Sequence, residues 1–183
     1  SDNPLVDPSS FAPNNTHVRA DRVRNINFPS VIRAPSWFTP RLGNYYMYFS
    51  DHHGLFVRLA YADRVEGPWT VYPHPTLTLA QVYAANNVTY NESSLSYKAE
   101  CTSPDVHVDH QARVVRMYFK HRIPTYQYAI LSGVAVSPNG LGFAPRSGAI
   151  GLSYVRAFTW AGDRGNYTYL LDRHGNMMRS ADG

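Results

Sequence analysis

Three short polar stretches of the sequence combine acids, histidines and basic residues. They are Asp51-His52-His53, Lys120-His121-Arg122 and Asp172-Arg173-His174. Carboxylates and histidines can transfer protons, ligate a divalent ion, or hydrogen-bond to a sugar. An Asp after a strand also caps turns, so a structural role is the alternative for each stretch.

Each polar stretch follows a run in which aromatic or branched residues alternate as they do along a β-strand. The runs are Tyr45-Tyr46-Met47-Tyr48-Phe49-Ser50, Val114-Val115-Arg116-Met117-Tyr118-Phe119 and Asn166-Tyr167-Thr168-Tyr169-Leu170-Leu171. This recurrence predicts a repeated β unit in which an equivalent strand ends in an equivalent loop. Equivalent loops of such repeats lie on one face, so we expect the polar stretches and their histidines to meet there.

Turn residues divide the chain into units of short antiparallel strands, each typical of a propeller blade. We predict an all-β propeller with about three four-stranded blades in the range 26–183, at about 26–73, 101–147 and 151–183. Residues 1–25 are expected to form an extended lead-in, and residues 74–100 a long insertion. No stretch has sustained helical periodicity. Three blades do not close a ring, so we expect a fragment that a further chain segment or subunit completes.

Composition narrows the classes of partner. The net charge is +4, but the basic residues are dispersed, which argues against nucleic acid as a partner. No apolar run approaches the roughly 20 residues of a membrane span. Glycosylation sequons begin at Asn14, Asn87, Asn91 and Asn166. Two of these sequons are close together in one polar loop, so we expect a secreted, extracellular glycoprotein.

Several segments carry a resemblance to a known family. In chain order they are Phe28-Pro29-Ser30-Val31-Ile32-Arg33, Gly43-Asn44-Tyr45-Tyr46-Met47-Tyr48-Phe49-Ser50, Arg58-Leu59-Ala60-Tyr61-Ala62, Glu66-Gly67-Pro68-Trp69 and Ser103-Pro104-Asp105-Val106-His107-Val108-Asp109. They resemble blades of the five-bladed β-propellers of glycoside hydrolase family 43 and its relatives. The resemblance covers roughly residues 27–183 and implies a five-bladed ring of which this chain holds about three blades.

The resemblance implies hydrolysis of a glycosidic bond by two carboxyl groups, one activating water and one protonating the leaving oxygen. In the family, the base is an Asp directly before the Pro that starts an inner strand, but Phe28 and Ser103 occupy those positions here. The family's acid is a Glu before Gly-Pro on an inner strand. Because Glu66 precedes Gly67-Pro68 in a turn, we do not transfer the acid role to it. Asp51 and Asp105 remain as the catalytic candidates.

Aromatic, basic and histidine side chains at the mouth of the expected channel would suit an acidic or hydroxyl-rich polysaccharide or oligosaccharide. The candidate substrate contacts are Phe28, Arg33, His52, His53, His107, His121, Arg122, Tyr154, Arg156, Arg173 and His174.

Three functions follow from these candidates. The first is a glycoside hydrolase-like protein that acts on or binds a polysaccharide. The second is a non-catalytic carbohydrate-binding or structural propeller. The third is a metal-assisted polysaccharide lyase, with a divalent metal ion in the central channel; no residue is assigned as a ligand of such an ion. Cys101, the single cysteine, has no His-paired motif beside it, so we expect it to fill space in the core.

Overall fold

The computed structural model describes residues 26–151, 153–162 and 165–180, and the predicted lead-in at 1–25 lies outside this range. Twelve strands and one α-helix are assigned in it. The strands are β1 (Asn27–Arg33), β2 (Tyr45–Ser50), β3 (Phe56–Ala62), β4 (Thr70–Val71), β5 (Leu77–Thr78), β6 (Glu100–Asp109), β7 (Val114–Arg122), β8 (Leu131–Ser137), β9 (Ala144–Pro145), β10 (Arg156–Gly162), β11 (Gly165–Leu171) and β12 (Met177–Ser180). The helix α1 is Leu79–Ala85, and short 3₁₀ helices span Glu92–Ser94 and Pro124–Tyr126.

The strands form three antiparallel sheets in chain order. Sheet 1 runs β1-β2-β3-β4 with β5 also paired to β3, sheet 2 runs β6-β7-β8-β9, and sheet 3 runs β10-β11-β12. The all-β class and the antiparallel arrangement are therefore confirmed. The strand β2 has the bounds that its aromatic run and the turn residues after it predict, because both signals are local.

The predicted insertion at 74–100 is an ordered part of the fold. Leu77 in β5 and Leu79 and Val82 in α1 are buried in the core. Thr78 and Gln81 form a capping box at the start of the helix, with Gln81 N donating to Thr78 Oγ1 and Thr78 N donating to Gln81 Oε1. Sequence periodicity missed the helix because seven residues make only two turns. Within the described residues, no helix is long and apolar enough to cross a bilayer.

The first strands of the three sheets lie side by side, with β6 between β1 and β10. Ser30 Oγ in β1 accepts a hydrogen bond from the backbone N–H of Val106 in β6 at 2.9 Å. On the other side of β6, Asp105 Oδ2 accepts from the backbone N–H of Ala157 in β10 at 2.7 Å. The residues at which these strands begin are consequently brought close together.

The main core lies between sheets 1 and 2. The aromatic rings of Tyr46 and Tyr48 in β2 pack there with Met117 and Phe119 in β7. Cys101 is fully buried in the same core, as expected for a space-filling residue, and burial raises the pKa of its thiol. The core thereby fixes sheet 2 against sheet 1 and positions the ends of β2 and β7.

Candidate functional site

The chain adopts a left-handed backbone conformation at the start of each first strand. The φ angles are 49° at Phe28, 56° at Ser103 and 55° at Tyr154, and none of these residues is a glycine. In sheets 1 and 2 the strand register shifts at the same place, between Asn27 and Ser30 and between Thr102 and Asp105. Such conformations cost on the order of 1–3 kcal/mol each and cluster at functional sites, where bulges redirect side chains. The repeated distortion marks this end of the inner strands as the candidate site.

Two of the strained residues contact each other across the sheets. The rings of Phe28 and Tyr154 have centroids 5.6 Å apart and are tilted by 48°. Phe28 is 38% exposed and Tyr154 is half-buried. Sheets 1 and 3 therefore jointly present an aromatic pair that a ligand can reach.

A buried carboxylate lies beside this aromatic pair. Glu100 is fully buried at the start of β6, and its Oε2 lies 2.8 Å from Lys120 Nζ and 3.1 Å from His53 Nδ1. Its Oε1 lies 3.7 Å from Arg122 Nε. A carboxylate removed from water needs such partners, because an unpaired buried charge is strongly destabilising. Glu100 thus contacts Lys120 and His53 directly, whereas Arg122 Nε donates to Tyr128 O at 2.8 Å and lies farther from the carboxylate.

Lys120 connects the buried carboxylate to the strained tyrosine. Its Nζ donates a hydrogen bond to Tyr154 Oη at 2.8 Å, and its side chain is only 4% exposed. Because the Tyr154 oxygen accepts from Lys120, the hydroxyl proton remains to be donated to another acceptor. The guanidinium carbon of Arg173 lies 5.2 Å from the centroid of the same ring. Phe28, Lys120 and Arg173 therefore surround Tyr154, and we call these four residues with Glu100 the Tyr154 cluster.

Sequence reasoning named Phe28, His53, Arg122, Tyr154 and Arg173 as substrate contacts, and the structure brings these five together. It did not name Glu100 or Lys120. The strand pairing sets Glu100 opposite Arg122 and Thr102 opposite Lys120, so Glu100, Lys120 and Arg122 share one face of sheet 2. That pairing joins residues 22 and 18 positions apart, and no local pattern in the sequence indicates it.

The two predicted catalytic carboxylates form hydrogen bonds within the fold. Asp51 Oδ1 accepts from the backbone N–H of His52 at 2.8 Å, which caps the turn between β2 and β3. Asp105 Oδ2 accepts from Ala157 N and lies 3.0 Å from His107 Nε2. Asp105 thereby ties β6 to β10, and His107 contacts it from within β6. Catalytic roles for Asp51 and Asp105 remain predictions.

The expected meeting of histidines from three repeats fails at His121. Because β7 continues to Arg122, His121 points to the face of sheet 2 opposite Lys120 and is buried with 1% exposure. Its ring centroid lies 5.7 Å from that of Phe119 and 6.0 Å from that of Tyr126. Burial lowers the pKa of His121 to about 4. His121 therefore lies in the core and away from the Tyr154 cluster.

The remaining predicted substrate contacts do not belong to the Tyr154 cluster. His52 is exposed beside His53, with ring centroids 4.2 Å apart. His174 is exposed and accepts at Nε2 from Arg173 Nε at 3.0 Å. Arg156 is exposed at the start of β10, whereas Arg33 is exposed at the opposite end of β1 from Phe28. Among the described residues, no group of three or more His, Cys, Asp or Glu side chains is arranged to hold a metal ion.

Comparison with known proteins gives one sequence relative and several structural ones. No protein-family model matches the chain. The chain is 41% identical over 187 residues to an uncharacterized protein of Acanthamoeba polyphaga mimivirus, covering 96% of this chain and 50% of that protein. The chain thus spans about half the length of the curated relative it matches.

The structural relatives are glycoside hydrolases. A family 43 enzyme from Xanthomonas citri complexed with xylotriose superposes with a TM-score of 0.52 at 17% identity, over 79% of this chain and 39% of the enzyme. A family 117 glycoside hydrolase of Zobellia galactanivorans superposes with a TM-score of 0.52 at 20% identity, over 88% and 44%. An exo-β-1,3-galactanase from Phanerochaete chrysosporium with bound β-1,3-galactotriose gives a TM-score of 0.50 at 15% identity, over 83% and 34%. At such identities the likeness concerns the fold, and it supports a family 43-like propeller fold.

Proposed function

We propose that this chain is part of a carbohydrate-active β-propeller that binds a polysaccharide or oligosaccharide at the Tyr154 cluster. The observation that carries the proposal is the position of Tyr154: its backbone is strained, its ring contacts Phe28, and its hydroxyl is held by Lys120. The solved relatives that hold xylotriose and β-1,3-galactotriose support a sugar as the ligand class.

The cluster provides the two kinds of contact that sugars require. The aromatic pair offers apolar surface for the C–H face of a sugar ring, and the Tyr154 hydroxyl offers a hydrogen-bond donor. The Glu100–Lys120 ion pair is buried, so these groups are positioned before a ligand arrives. Preorganisation of this kind lowers the entropic cost of binding.

Binding is the function that the described residues support best. Hydrolysis would require two carboxyl groups on either side of the scissile bond, about 5–10 Å apart. Glu100 is fully buried, and Asp51 and Asp105 accept hydrogen bonds from backbone N–H groups. If the protein hydrolyses its glycan, we expect Asp51 or Asp105 to act together with a carboxyl group from outside the described residues.

We propose further that additional blades complete a five-bladed ring. Tyr46 and Tyr48 in sheet 1 are buried against sheet 2, whereas their counterparts in sheet 3, Tyr167 and Tyr169, are half-buried. Trp160, opposite Tyr167, is 62% exposed. This aromatic face is covered by the next sheet in sheet 1 but is open in sheet 3. A fourth sheet of the same kind would cover it. The length of the mimivirus relative would accommodate it.

Secretion and glycosylation belong to the same proposal. Asn87 and Asn91 are exposed, as a glycosylation acceptor must be. Asn166 lies in β11, and Asn14 lies outside the described residues. We propose Asn87 and Asn91 as the modified sites. A mass that falls on treatment with a glycosidase, and does not fall in the Asn87→Gln, Asn91→Gln double variant, would support this; an unchanged mass of the secreted protein would reject it.

The binding proposal is tested with the full-length protein and a panel of plant, algal and microbial oligosaccharides, using isothermal titration calorimetry. Phe28→Ala should weaken binding by about tenfold, since a lost aromatic contact is worth roughly 0.5–1.5 kcal/mol or more. Tyr97→Ala is the matched control, because Tyr97 is 80% exposed and lies outside the cluster. Equal losses in both variants, or no binding by the unaltered protein, would reject the proposal.

A further inference from the structure

The Tyr154 cluster contains more cationic groups than its one carboxylate pairs with. Within the cluster, Lys120 pairs with Glu100 at 2.8 Å, and Arg122 lies next to the cluster at 3.7 Å from the same carboxylate. The guanidinium carbon of Arg173 lies 5.2 Å from the centroid of the Tyr154 ring. Within the described ranges, Arg173 takes part in no ion pair with a carboxylate.

The nearest acid in the sequence is already satisfied by other groups. Asp172 Oδ1 accepts from the backbone N–H groups of His174 and Asn176, and its Oδ2 accepts from Asn176 Nδ2 at 3.1 Å. These bonds shape the turn after β11 and direct Asp172 toward that turn. Asp172 therefore does not compensate the charge of Arg173. Arg173 is exposed at the cluster.

The position of Arg173 is defined by several contacts. Its backbone N–H donates to Ser153 O at 3.4 Å, and its Nε donates to His174 Nε2 at 3.0 Å. The ring of Tyr154 lies under the guanidinium carbon. An arginine whose Nε is held in this way presents its two terminal nitrogens as a fork, which matches the paired oxygens of a carboxylate or a sulfate.

We propose that the sugar residue bound at Tyr154 carries an anionic substituent, a carboxylate or a sulfate ester, which Arg173 contacts. This inference rests on the proposed function and specifies the substrate class of the same site. The charge of Lys120 is paired with Glu100 and its side chain is only 4% exposed, so Arg173 is the cationic group of the cluster that the anionic substituent contacts. Neutral sugars would use only the aromatic pair and the Tyr154 hydroxyl.

The test compares matched ligands that differ only in charge, by calorimetry on the full-length protein. One pair is a xylo-oligosaccharide with and without a glucuronic acid substituent, and the other is a galacto-oligosaccharide with and without a sulfate ester. We expect the acidic member of one pair to bind at least about tenfold more tightly, as a charge-assisted hydrogen bond allows. The preferred pair identifies whether the substituent is a carboxylate or a sulfate.

Variants assign the preference to Arg173. Arg173→Gln should abolish the acidic preference, so that the ratio of the affinities for the acidic and neutral members falls to about one, and Arg173→Lys should retain part of the preference because charge remains without the fork. Arg64→Gln is the control, since Arg64 is 78% exposed in an outer turn beside Glu66. Equal affinity for charged and neutral members, or a preference that survives Arg173→Gln, would overturn this inference and leave the proposed function standing. No binding of any oligosaccharide would overturn both.

Discussion

Lys120 Nζ lies 2.8 Å from Glu100 Oε2, although neither side chain is more than 4% exposed. The pair joins two strands of sheet 2 whose residues lie 20 positions apart in sequence. Through Lys120 it also fixes the hydroxyl of Tyr154, at the start of sheet 3. One buried ion pair therefore links the fold of sheet 2 to the geometry of the candidate site.

Removing the charge of Glu100 should destabilise the protein strongly. In Glu100→Gln the Lys120 ammonium would remain buried without a counter-charge, which typically costs about 3–5 kcal/mol. Urea denaturation followed by circular dichroism measures the change in the free energy of unfolding. Glu66→Gln is the matched control, because its pair with Arg64 is exposed and such pairs contribute about 0–1 kcal/mol. Equal effects of the two substitutions would show that the buried pair does not stabilise the fold.

His121 should make the folded state sensitive to mild acid. Burial lowers its pKa to about 4 from the ordinary 6.5, so the unfolded chain binds a proton more readily than the folded one between these values. The contribution of neutral His121 to the free energy of unfolding is therefore fully present above about pH 6.5. It is lost as the pH falls toward 4, which lowers the free energy of unfolding by about 3 kcal/mol.

Denaturation curves at several pH values test this dependence. His121→Gln should flatten the pH dependence between 6.5 and 4, whatever its effect on stability at neutral pH. His110→Gln serves as the control, because His110 is exposed. If His121→Gln keeps the full pH dependence of stability, that dependence does not arise from His121.

A side chain at Gly133 should destabilise the folded state. A Cβ atom at this position would lie 2.9 Å from Phe119 Cζ and 3.0 Å from His121 Cδ2, both buried in the core. Overpacking of this kind costs about 1–3 kcal/mol. Thermal denaturation should show a lower midpoint for Gly133→Ala, whereas Gly142→Ala should be nearly neutral because nothing lies within 4 Å of its Cβ position. Comparable midpoints for the two variants would contradict the close packing.

The predictable part of the fold is the part that local patterns encode. Side chains alternate along β2, and turn residues follow it, so its bounds could be predicted. The end of β7 was predicted at Phe119, but the strand continues to Arg122 because its polar residues pair with Glu100 and its neighbours in β6. This extension places His121 in the core, an arrangement that depends on a pairing partner distant in sequence.

The site was predictable only in part for the same reason. Phe28 and Tyr154 are large aromatic residues at strand starts, and this position alone identified them. Glu100 looked like an ordinary polar residue at the end of an insertion, since nothing in its neighbourhood indicates that β7 will bury it beside Lys120. A buried charge can be predicted from sequence only when the residues that compensate it are known.

A crystal structure of the full-length protein with a bound oligosaccharide selected from the binding panel would locate the sugar-binding site directly. We expect a sugar ring in contact with Tyr154 and Phe28, within about 4 Å of the aromatic carbons. The Tyr154 hydroxyl should be within hydrogen-bond distance of a sugar oxygen while still accepting from Lys120. A sugar bound at another surface, with the Tyr154 cluster unchanged and unoccupied, would contradict sugar binding at this cluster.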